Sequence, residues 1–299
     1  LPSLDYMGIA HETRLGPIHA TGTYQTLYQA QFFMIADGVT NEWDWWGDHL
    51  VIWDKDSKDI KWSWSSFDHF NMSDYEDGLW NTPPQPAPDD YFDWTHINAF
   101  YFDDIDSSIY ISTRNLSRIT KLKYPSGEII WNMGLDMPSG DVDCGQNIGF
   151  SFQHSLMTLQ NGNIITLDNG NISETVNNTP YPTTRGIEIA IDETGNSCSS
   201  SLVWSYDLPE DLFGFASGNV QKLENGNYLV TTVGGGATSL EITPTGSASG
   251  EIVWQGNYNL TLPSGAVYRA HRVKGLHPIA FSITSDNFNL SDDQSIYPI

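Results

Sequence analysis

The sequence predicts an all-β protein, a β-propeller built of four-stranded antiparallel blades. One unit of two strands ending in tryptophan occurs four times along the 299 residues. Further pairs of alternating runs precede three of these units, and tight-turn signals such as Asn-Gly separate their strands. Four strands per unit at this spacing are typical of propeller blades, and helical periodicity of any length is absent. The repeats predict five or six blades.

The four units share one design: an alternating strand, a polar turn and a strand that closes on tryptophan. They read LVIWDKDSKDIKW (50–62), ITKLKYPSGEIIW (119–131), IEIAIDETGNSCSSSLVW (187–204) and LEITPTGSASGEIVW (240–254). A β-sandwich would explain the strands but not the repeated closing residue. We therefore expect Trp62, Trp131, Trp204 and Trp254 to pack blade against blade.

The rest of the chain extends this pattern to a single propeller domain over residues 1–299. Residues 1–34 are predicted to hold strands of another blade, and a further unit is predicted to begin at Ala266. Residues 67–91 break the rhythm with acidic residues and prolines, which predicts a long loop. Such a loop either shapes a site over the propeller face or is a solvated connector.

Charge and hydropathy exclude several classes of partner. Lys and Arg number 13 against 37 Asp and Glu, a formal net charge of −24. This surface repels phosphate backbones and anionic lipid, so neither nucleic acid nor a membrane surface is an expected partner. No run reaches the roughly 18 apolar residues that a membrane span needs, so membrane insertion is not expected. No leader precedes Leu1, and the chain is interpreted as mature or trimmed.

The two cysteines allow one internal disulfide or two free thiols. Cys144 and Cys198 both lie in polar segments rich in Gly or Ser, as loop cysteines do. If the disulfide forms, it favours an oxidising compartment.

Five distinctive strings follow one another in order from about residue 40 onward. They lie at 42–70 (EWDWWGDHLVIWDKDSKDIKWSWSSFDHF), 93–131 (beginning DWTHINAF), 152–170 (FQHSLMTLQNGNIITLDNG), 184–192 (TRGIEIAID) and 267–273 (VYRAHRV). Together they resemble motifs of the bacterial arylsulfate sulfotransferases. The resemblance implies a six-bladed, periplasmic or secreted propeller. It also implies transfer of a sulfuryl group from a phenolic sulfate ester to a phenolic acceptor, through a sulfated histidine and without a nucleotide sulfate. The oligomeric state is not predicted.

Sulfuryl transfer needs a nucleophile, an acid for the departing phenolate and positive charge for the sulfuryl oxygens. His96 in DWTHINAF matches a family position that lines the site, and we interpret it as an acid/base and sulfate-binding residue. His154 in FQHS opens the next unit in the same relative place. First strands of successive blades converge at the axis, so we expect the two histidines to face one another. Arg185 in TTRGIEI is the predicted sulfate ligand. The candidate catalytic residues are His96, His154 and Arg185.

A second group of candidates is predicted to bind the substrate. Tyr268 and Arg269 match the family string Tyr-Arg-Ala, whereas His271 is less typical of it. Asn98 follows His96 by two residues, and Asn169 belongs to the DNG string. The predicted substrate-binding residues are Asn98, Asn169, Tyr268, Arg269 and His271.

The sequence departs from the family pattern where the sulfated histidine is expected. The stretch VGGGATSLEI (233–242) has Thr238 and Ser239 but no histidine. Either His154 or His96 takes the sulfuryl group, or the chemistry differs, or the chain is a propeller that only binds a ligand, glycan or protein. No cofactor or metal is predicted. The acid-rich turn DDIDSS (103–108) leaves Ca²⁺ as an alternative to a solvated turn.

Overall fold

The computed structural model describes residues 13–15, 19–36, 39–54, 56–74, 91–103, 105–194, 198–244, 250–260 and 266–273. Side chains are described from residue 47 onward within these ranges, except at positions 91 and 92.

Seventeen strands in these ranges form four sheets in chain order. The first contains β1 (Thr13–Leu15), β2 (His19–Ala36), β3 (Val39–Asp54) and β4 (Ile60–Ser65), with β5 (Tyr91–Asp93) added parallel to β3. The second contains β6 (Ile97–Asp103), β7 (Ser108–Thr113), β8 (Arg118–Lys123) and β9 (Ile129–Gly134). The third contains β10 (His154–Thr158), β11 (Ile164–Asp168), β12 (Arg185–Asp192) and β13 (Ser199–Asp207). The fourth contains β14 (Asn219–Lys222), β15 (Tyr228–Thr232), β16 (Thr238–Ile242) and β17 (Ile252–Asn257).

Among the described residues, helical structure is confined to short segments. They are α1 (Ser66–His69), α2 (Ser173–Val176) and three single 3₁₀ turns at Arg114–Leu116, Glu210–Leu212 and Gly234–Gly236. Within the described part of the chain, none of these segments has the length and apolar character that a bilayer crossing requires.

The predicted all-β, propeller-type architecture is confirmed. Apart from β5, the strands of each sheet pair antiparallel in sequence order, and apolar side chains of one sheet pack on those of the next. The core between the third and fourth sheets, for example, joins Leu167 and Trp204 to Val220 and Leu240. The innermost strand β10 contacts both β6 and β14. First strands of neighbouring sheets therefore converge, which brings residues distant in sequence together; the number of blades stays a prediction.

The closing tryptophans contact the following sheet or segment, as predicted. Trp62 donates from Nε1 to the Pro125 carbonyl at 2.7 Å, and Trp131 donates to the carboxylate of Glu193. Trp204 stacks on Tyr228 with the ring centroids 3.6 Å apart. The guanidinium of Arg272 lies 5.3 Å from the centre of the Trp254 ring.

The position opposite each closing tryptophan has a common feature. In each of the four sheets, the last strand of the antiparallel series carries the tryptophan, which pairs with a residue on the strand before it. Directly next to that pair, the register between the two strands shifts, which marks a β-bulge. A β-bulge bends the strand locally, which suits a sheet that must turn its edge toward a neighbour.

Two predictions about the ends of the chain have different outcomes. Residues 1–34 were expected to form another blade, but their described part, β1 and β2, pairs with β3 and so belongs to the first sheet. The unit expected from Ala266 begins beside β14: Asn219 exchanges two hydrogen bonds of 2.9 Å with the backbone of Ala270. Residues 274–299 lie outside the described residues.

The segment predicted as a long loop is partly packed. Phe70 is buried in the core between the first two sheets. Asp74 is also buried, and Arg118 Nη2 donates to its Oδ2 at 2.7 Å. Residues 75–90, which form most of that segment, lie outside the described residues.

The alternative between thiols and a disulfide is resolved in favour of the bond. Cys144 and Cys198 form a disulfide across a sequence separation of 54 residues. Cys144 lies in the connection between β9 and β10, and Cys198 directly precedes β13. The bond therefore ties the end of the second sheet to the outer edge of the third.

Candidate functional site

His154 begins β10 at the convergence of the first strands, and only 3% of its surface is exposed. Its Nδ1 lies 2.8 Å from Asn169 Oδ1 and 3.1 Å from the Phe152 carbonyl oxygen. The Asn169 amide is oriented by its own Nδ2, which donates to the carbonyls of Gly214 at 2.5 Å and Ser217 at 3.1 Å. Because both neighbours of Nδ1 are acceptors, Nδ1 carries the hydrogen and the lone pair is on Nε2.

The electrostatic surroundings keep the His154 imidazole neutral. Burial lowers the pKa of His154 to about 3, and the positive charge of Arg114 and the proximity of His96 act in the same direction. At neutral pH the Nε2 lone pair is therefore available to attack an electrophile or to accept a proton.

The backbone around His154 is unusual for a strand. Phe152 and Ser155 have φ values of 55° and 68°, and the register with β11 shifts between His154 and Met157. Left-handed conformations of non-glycine residues cost about 1 kcal/mol or more and cluster at functional sites. Ser117 Oγ supports this bend, since it accepts a hydrogen bond of 3.1 Å from the Phe152 N–H.

Arg114 lies beside His154 and was not among the site residues predicted from the sequence. It opens the 3₁₀ turn after β7, with its Cζ 4.8 Å from the centre of the Phe152 ring. Nη1 donates to Asn115 Oδ1 at 2.7 Å, and Nη2 approaches the Phe215 carbonyl at 3.5 Å. Burial lowers the pKa of Arg114, but a guanidinium stays charged at neutral pH. A fixed cation of this kind can stabilise the oxygens of an anionic group.

His96 occupies the place in the second sheet that His154 occupies in the third. It directly precedes β6, and its Nδ1 pairs with the Asp93 carboxylate. Asp93 is itself anchored, because Asn115 Nδ2 donates to its carbonyl oxygen at 2.5 Å. The ring is less enclosed than that of His154, with 23% of its side chain exposed. A carboxylate on Nδ1 orients the imidazole and balances its charge when it is protonated.

Arg185 has structural contacts. Its Nε donates to Asp168 Oδ2 at 2.6 Å, and its Nη2 donates to the carbonyls of Ile148 at 2.8 Å and Gly149 at 2.9 Å. Asp168 also accepts the Ser151 N–H at 2.9 Å. These contacts join β11, β12 and the segment before β10. The sulfate-binding role predicted for Arg185 stays a prediction without support from this geometry.

The two predicted asparagines both contact the His154 region. Asn98 Nδ2 donates to the Gln153 carbonyl at 2.8 Å and so links β6 to the residue before His154. Asn98 Oδ1 is buried, and within the described ranges it meets no hydrogen-bond partner. Asn169 contacts the histidine itself through Oδ1, and its geometry gives it a positioning role.

The YRAH string is divided between two places. The Tyr268 ring lies edge-on to His154 with 6.4 Å between centroids, and Arg269 Nη2 donates to the Asn98 carbonyl at 2.9 Å. His271 is exposed and lines a small recess with Trp254 and Tyr258. The structure thus groups Tyr268 and Arg269 with the histidine cluster and places His271 outside it.

The stretch without histidine is closely hydrogen-bonded. Thr238 and Ser239 begin β16 and are buried. Thr238 Oγ1 donates to the Gly235 carbonyl at 3.3 Å, and Ser239 Oγ lies 2.8 Å from Thr231 Oγ1.

The acidic turn at residues 103–108 does not assemble a metal site in the described part of the chain. No group of three or more His, Cys, Asp or Glu side chains suited to a metal ion occurs there. Asp106 instead pairs with Lys121 Nζ at 2.9 Å.

Three solved structures illustrate the weak similarity of this chain to known folds. A protein of unknown function from Bacteroides caccae is 13% identical (TM-score 0.43), with 87% of this chain and 63% of that chain covered. A streptogramin B lyase is 12% identical (TM-score 0.36), with 77% and 59% covered. A catalytically inactive virginiamycin B lyase from Staphylococcus aureus with quinupristin is 12% identical (TM-score 0.38), with 85% and 73% covered. The chain thus spans less than two thirds of the first two structures, and these likenesses carry no argument about its activity.

Sequence comparison gives the decisive result. No curated protein matches the chain significantly. The family model described as arylsulfotransferase (ASST) matches residues 25–269, which include His96, Arg114 and His154. The chain therefore belongs to the arylsulfotransferase family.

Proposed function

We propose that this chain is an exported enzyme that transfers a sulfuryl group from a phenolic sulfate ester to a phenolic acceptor without a nucleotide sulfate. Membership of the arylsulfotransferase family supports the reaction class. The observation that carries the proposal for this chain is the neutral, Nδ1-protonated His154 beside the Arg114 cation.

In the first half-reaction, the His154 Nε2 lone pair attacks the sulfur of the donor. A nitrogen–sulfur bond forms, the bond from sulfur to the aryl oxygen breaks, and His96 gives a proton to the departing phenolate. The sulfuryl oxygens carry negative charge throughout, and Arg114 is the cation best placed to stabilise them. In the second half-reaction, a phenol loses its proton to His96 while its oxygen takes the sulfuryl group from His154.

Two partly exposed rings beside this cluster suit an aromatic substrate. Tyr268 lies edge-on to His154, and Phe215, whose carbonyl approaches Arg114, is 48% exposed. Aromatic pairs prefer offset or edge-to-face contacts, so these rings offer a surface for the phenol ring.

Export is proposed from the disulfide. A bond between Cys144 and Cys198 persists in an oxidising compartment such as the periplasm or the exterior, whereas cytosolic reductants keep thiols reduced.

The test is a transfer assay with an aryl sulfate donor, a phenol acceptor and no nucleotide. We expect sulfated acceptor from the wild type and none above background from His154→Ala. His69→Ala is a matched control, since His69 stacks on Trp64 outside the cluster and should retain activity. Absence of turnover with several donors, in a protein shown to be folded, would argue against the enzyme.

The competing function is a propeller that only binds a ligand, glycan or protein. It is favoured by the lack of histidine in residues 233–242. In that case His154→Ala would leave binding nearly unchanged, and no donor would be turned over.

A further inference from the structure

Asp48 on β3 contacts both residues that flank His96. Its Oδ2 accepts a hydrogen bond from Thr95 Oγ1 and a second one, of 2.9 Å, from the Ile97 N–H. Asp48 is fully buried, and its own N–H donates to Ser66 Oγ at 2.9 Å. A single carboxylate oxygen of the first sheet thus holds the chain on either side of a histidine in the second sheet.

The backbone at His96 needs such support. His96 has a φ of 55°, a left-handed conformation that costs a non-glycine residue about 1 kcal/mol or more. On the opposite side, the carbonyls of Thr95 and His96 accept the N–H groups of Asn115 at 3.2 Å and Arg114 at 3.0 Å. Residues 95–97 are therefore fixed between Asp48 and the turn that carries Arg114.

Asp48 also shares an electrostatic environment with the histidine. Burial raises the pKa of Asp48 to about 7; the negative charge of Asp93 adds to this, while Thr95, His96 and the Ile97 N–H oppose it. Among the described residues, the charged or titratable groups that act on Asp48 are Asp93 and His96. Asp48 and the Asp93–His96 pair therefore act on one another electrostatically.

We propose that Asp48 is a positioning residue for His96. By accepting hydrogen bonds from Thr95 and Ile97, Asp48 fixes the backbone that carries the His96 ring. The charge of Asp48 is also coupled to the proton of the Asp93–His96 pair. This inference rests on the proposed sulfuryl transfer for its effect on rate. Its structural part concerns His96 alone.

Three variants separate the two roles. Asp48→Asn keeps an oxygen that accepts both hydrogen bonds but removes the charge, whereas Asp48→Ala removes both. Ser66→Ala is the control. It removes the hydroxyl that accepts the Asp48 N–H and a longer contact of 3.3 Å from Thr95 Oγ1, but it leaves the carboxylate and the hydrogen bonds that Asp48 Oδ2 accepts from Thr95 and Ile97. The activity of each variant is measured with one donor that has an acidic, easily released phenol and one that releases an ordinary phenol.

We expect Asp48→Ala to lose about 100-fold in kcat with the ordinary phenol and only a few-fold with the acidic one, because a displaced acid matters most where protonation is needed. Asp48→Asn should stay within about threefold of wild type below pH 7 and lose the rate inflection near pH 7. Ser66→Ala should follow the wild type in both tests. If folded Asp48→Ala had the same ratio of kcat values between the two donors as the wild type, the positioning role would be overturned.

The imidazole signals of His96, followed by NMR against pH, test the same inference without turnover. In the wild type we expect them to respond to the ionisation of Asp48 near pH 7, and in Asp48→Asn that response should disappear. Identical titration curves in the two proteins would overturn the charge coupling. If the wild type transfers no sulfuryl group but the NMR difference is present, the proposed reaction fails and the coupling to His96 stands.

Discussion

His96 and His154 occupy the same relative place in successive sheets, yet their surroundings differ in kind. His154 is buried and donates from Nδ1 to a neutral amide, Asn169. His96 is partly exposed and pairs through Nδ1 with a carboxylate, Asp93. Asn169 gives the His154 ring a neutral hydrogen-bond partner, whereas Asp93 places a carboxylate directly beside the His96 ring. The repeat thus supplies one position twice, and in the proposed reaction the partner of Nδ1 distinguishes the nucleophile from the acid.

The largest expected effect is the loss of activity in the two histidine variants, which should differ in how strongly it depends on the leaving group of the donor. His154→Ala should lose at least about 1,000-fold in activity with every donor, because no other group forms the bond to sulfur. His96→Ala should lose about 100-fold with a donor that releases an ordinary phenol, with a pKa of about 10, and much less with a more acidic phenol. The measurement is kcat/KM across a series of aryl sulfates. Equal leaving-group dependence in the two variants would reverse or remove this division of roles.

A second expectation distinguishes the two arginines near the third sheet. Arg114→Gln should lower kcat/KM by about 100-fold with little change in stability. Its hydrogen bonds go to neutral partners, the Asn115 amide and the Phe215 carbonyl, whereas the lost cation stabilises charge on the sulfuryl oxygens. Arg185→Gln should destabilise the fold by about 3 kcal/mol, because it leaves the buried Asp168 carboxylate without its cation. Denaturant unfolding and steady-state kinetics on both variants check this. If Arg185→Gln lost activity without losing stability and Arg114→Gln did the reverse, Arg185 would be the better candidate for the sulfate ligand.

Removing the disulfide tests whether the histidine cluster at the first strands depends on a bond at the outer edge of the sheets. The double variant Cys144→Ser and Cys198→Ser should lose about 2–4 kcal/mol of unfolding free energy, since the bond closes a segment of 54 residues. The relative activities of the His96 and His154 variants should be unchanged in this background. A wild-type protein insensitive to reductant in thermal unfolding would contradict the stabilising role.

The smallest expected effect is the contribution of His154 to the pH dependence of stability. Its pKa is about 3 in the folded protein and about 6.5 when unfolded, so between these values the unfolded chain binds more protons. Stability should therefore fall as the pH drops below about 6.5, by about 2 kcal/mol at pH 5. His154→Gln should lose this component, seen as a flatter curve of unfolding free energy against pH. Asp48, whose pKa is raised, contributes with the opposite sign: its stabilisation is present at low pH and is lost as the pH rises through about 7.

The sheets could be predicted from sequence because their determinants are local. Alternating side chains, Asn-Gly turns and a closing tryptophan recur in each unit, and the structure confirms the resulting architecture. The pairing of β2 with β3 was not predicted, and residues 1–34 were assigned to another blade instead of the first sheet. Alternation identifies strands but not their partners.

The convergence of β6 and β10, the strands beside the two histidines, also followed from the repeat, but the contacts of the arginines did not. Asp168 and Arg185 face each other directly in the register of β11 and β12, and only that register shows that the guanidinium is engaged. Arg114 lies within the motif at residues 93–131, but it follows a strand in a short turn, and nothing in the string marks it as a site residue. Its importance depends on contacts with Phe152 and Phe215, which come from other parts of the chain.

The most direct test traps the covalent intermediate. The protein is mixed with an aryl sulfate in the absence of an acceptor, quenched at alkaline pH to preserve a nitrogen–sulfur bond, digested and analysed by mass spectrometry. We expect a sulfuryl group on the peptide that contains His154, and we expect it to be lost when phenol is added before quenching. A sulfuryl group on His96 or on any other residue, or rapid transfer with no labelled peptide, would contradict this expectation.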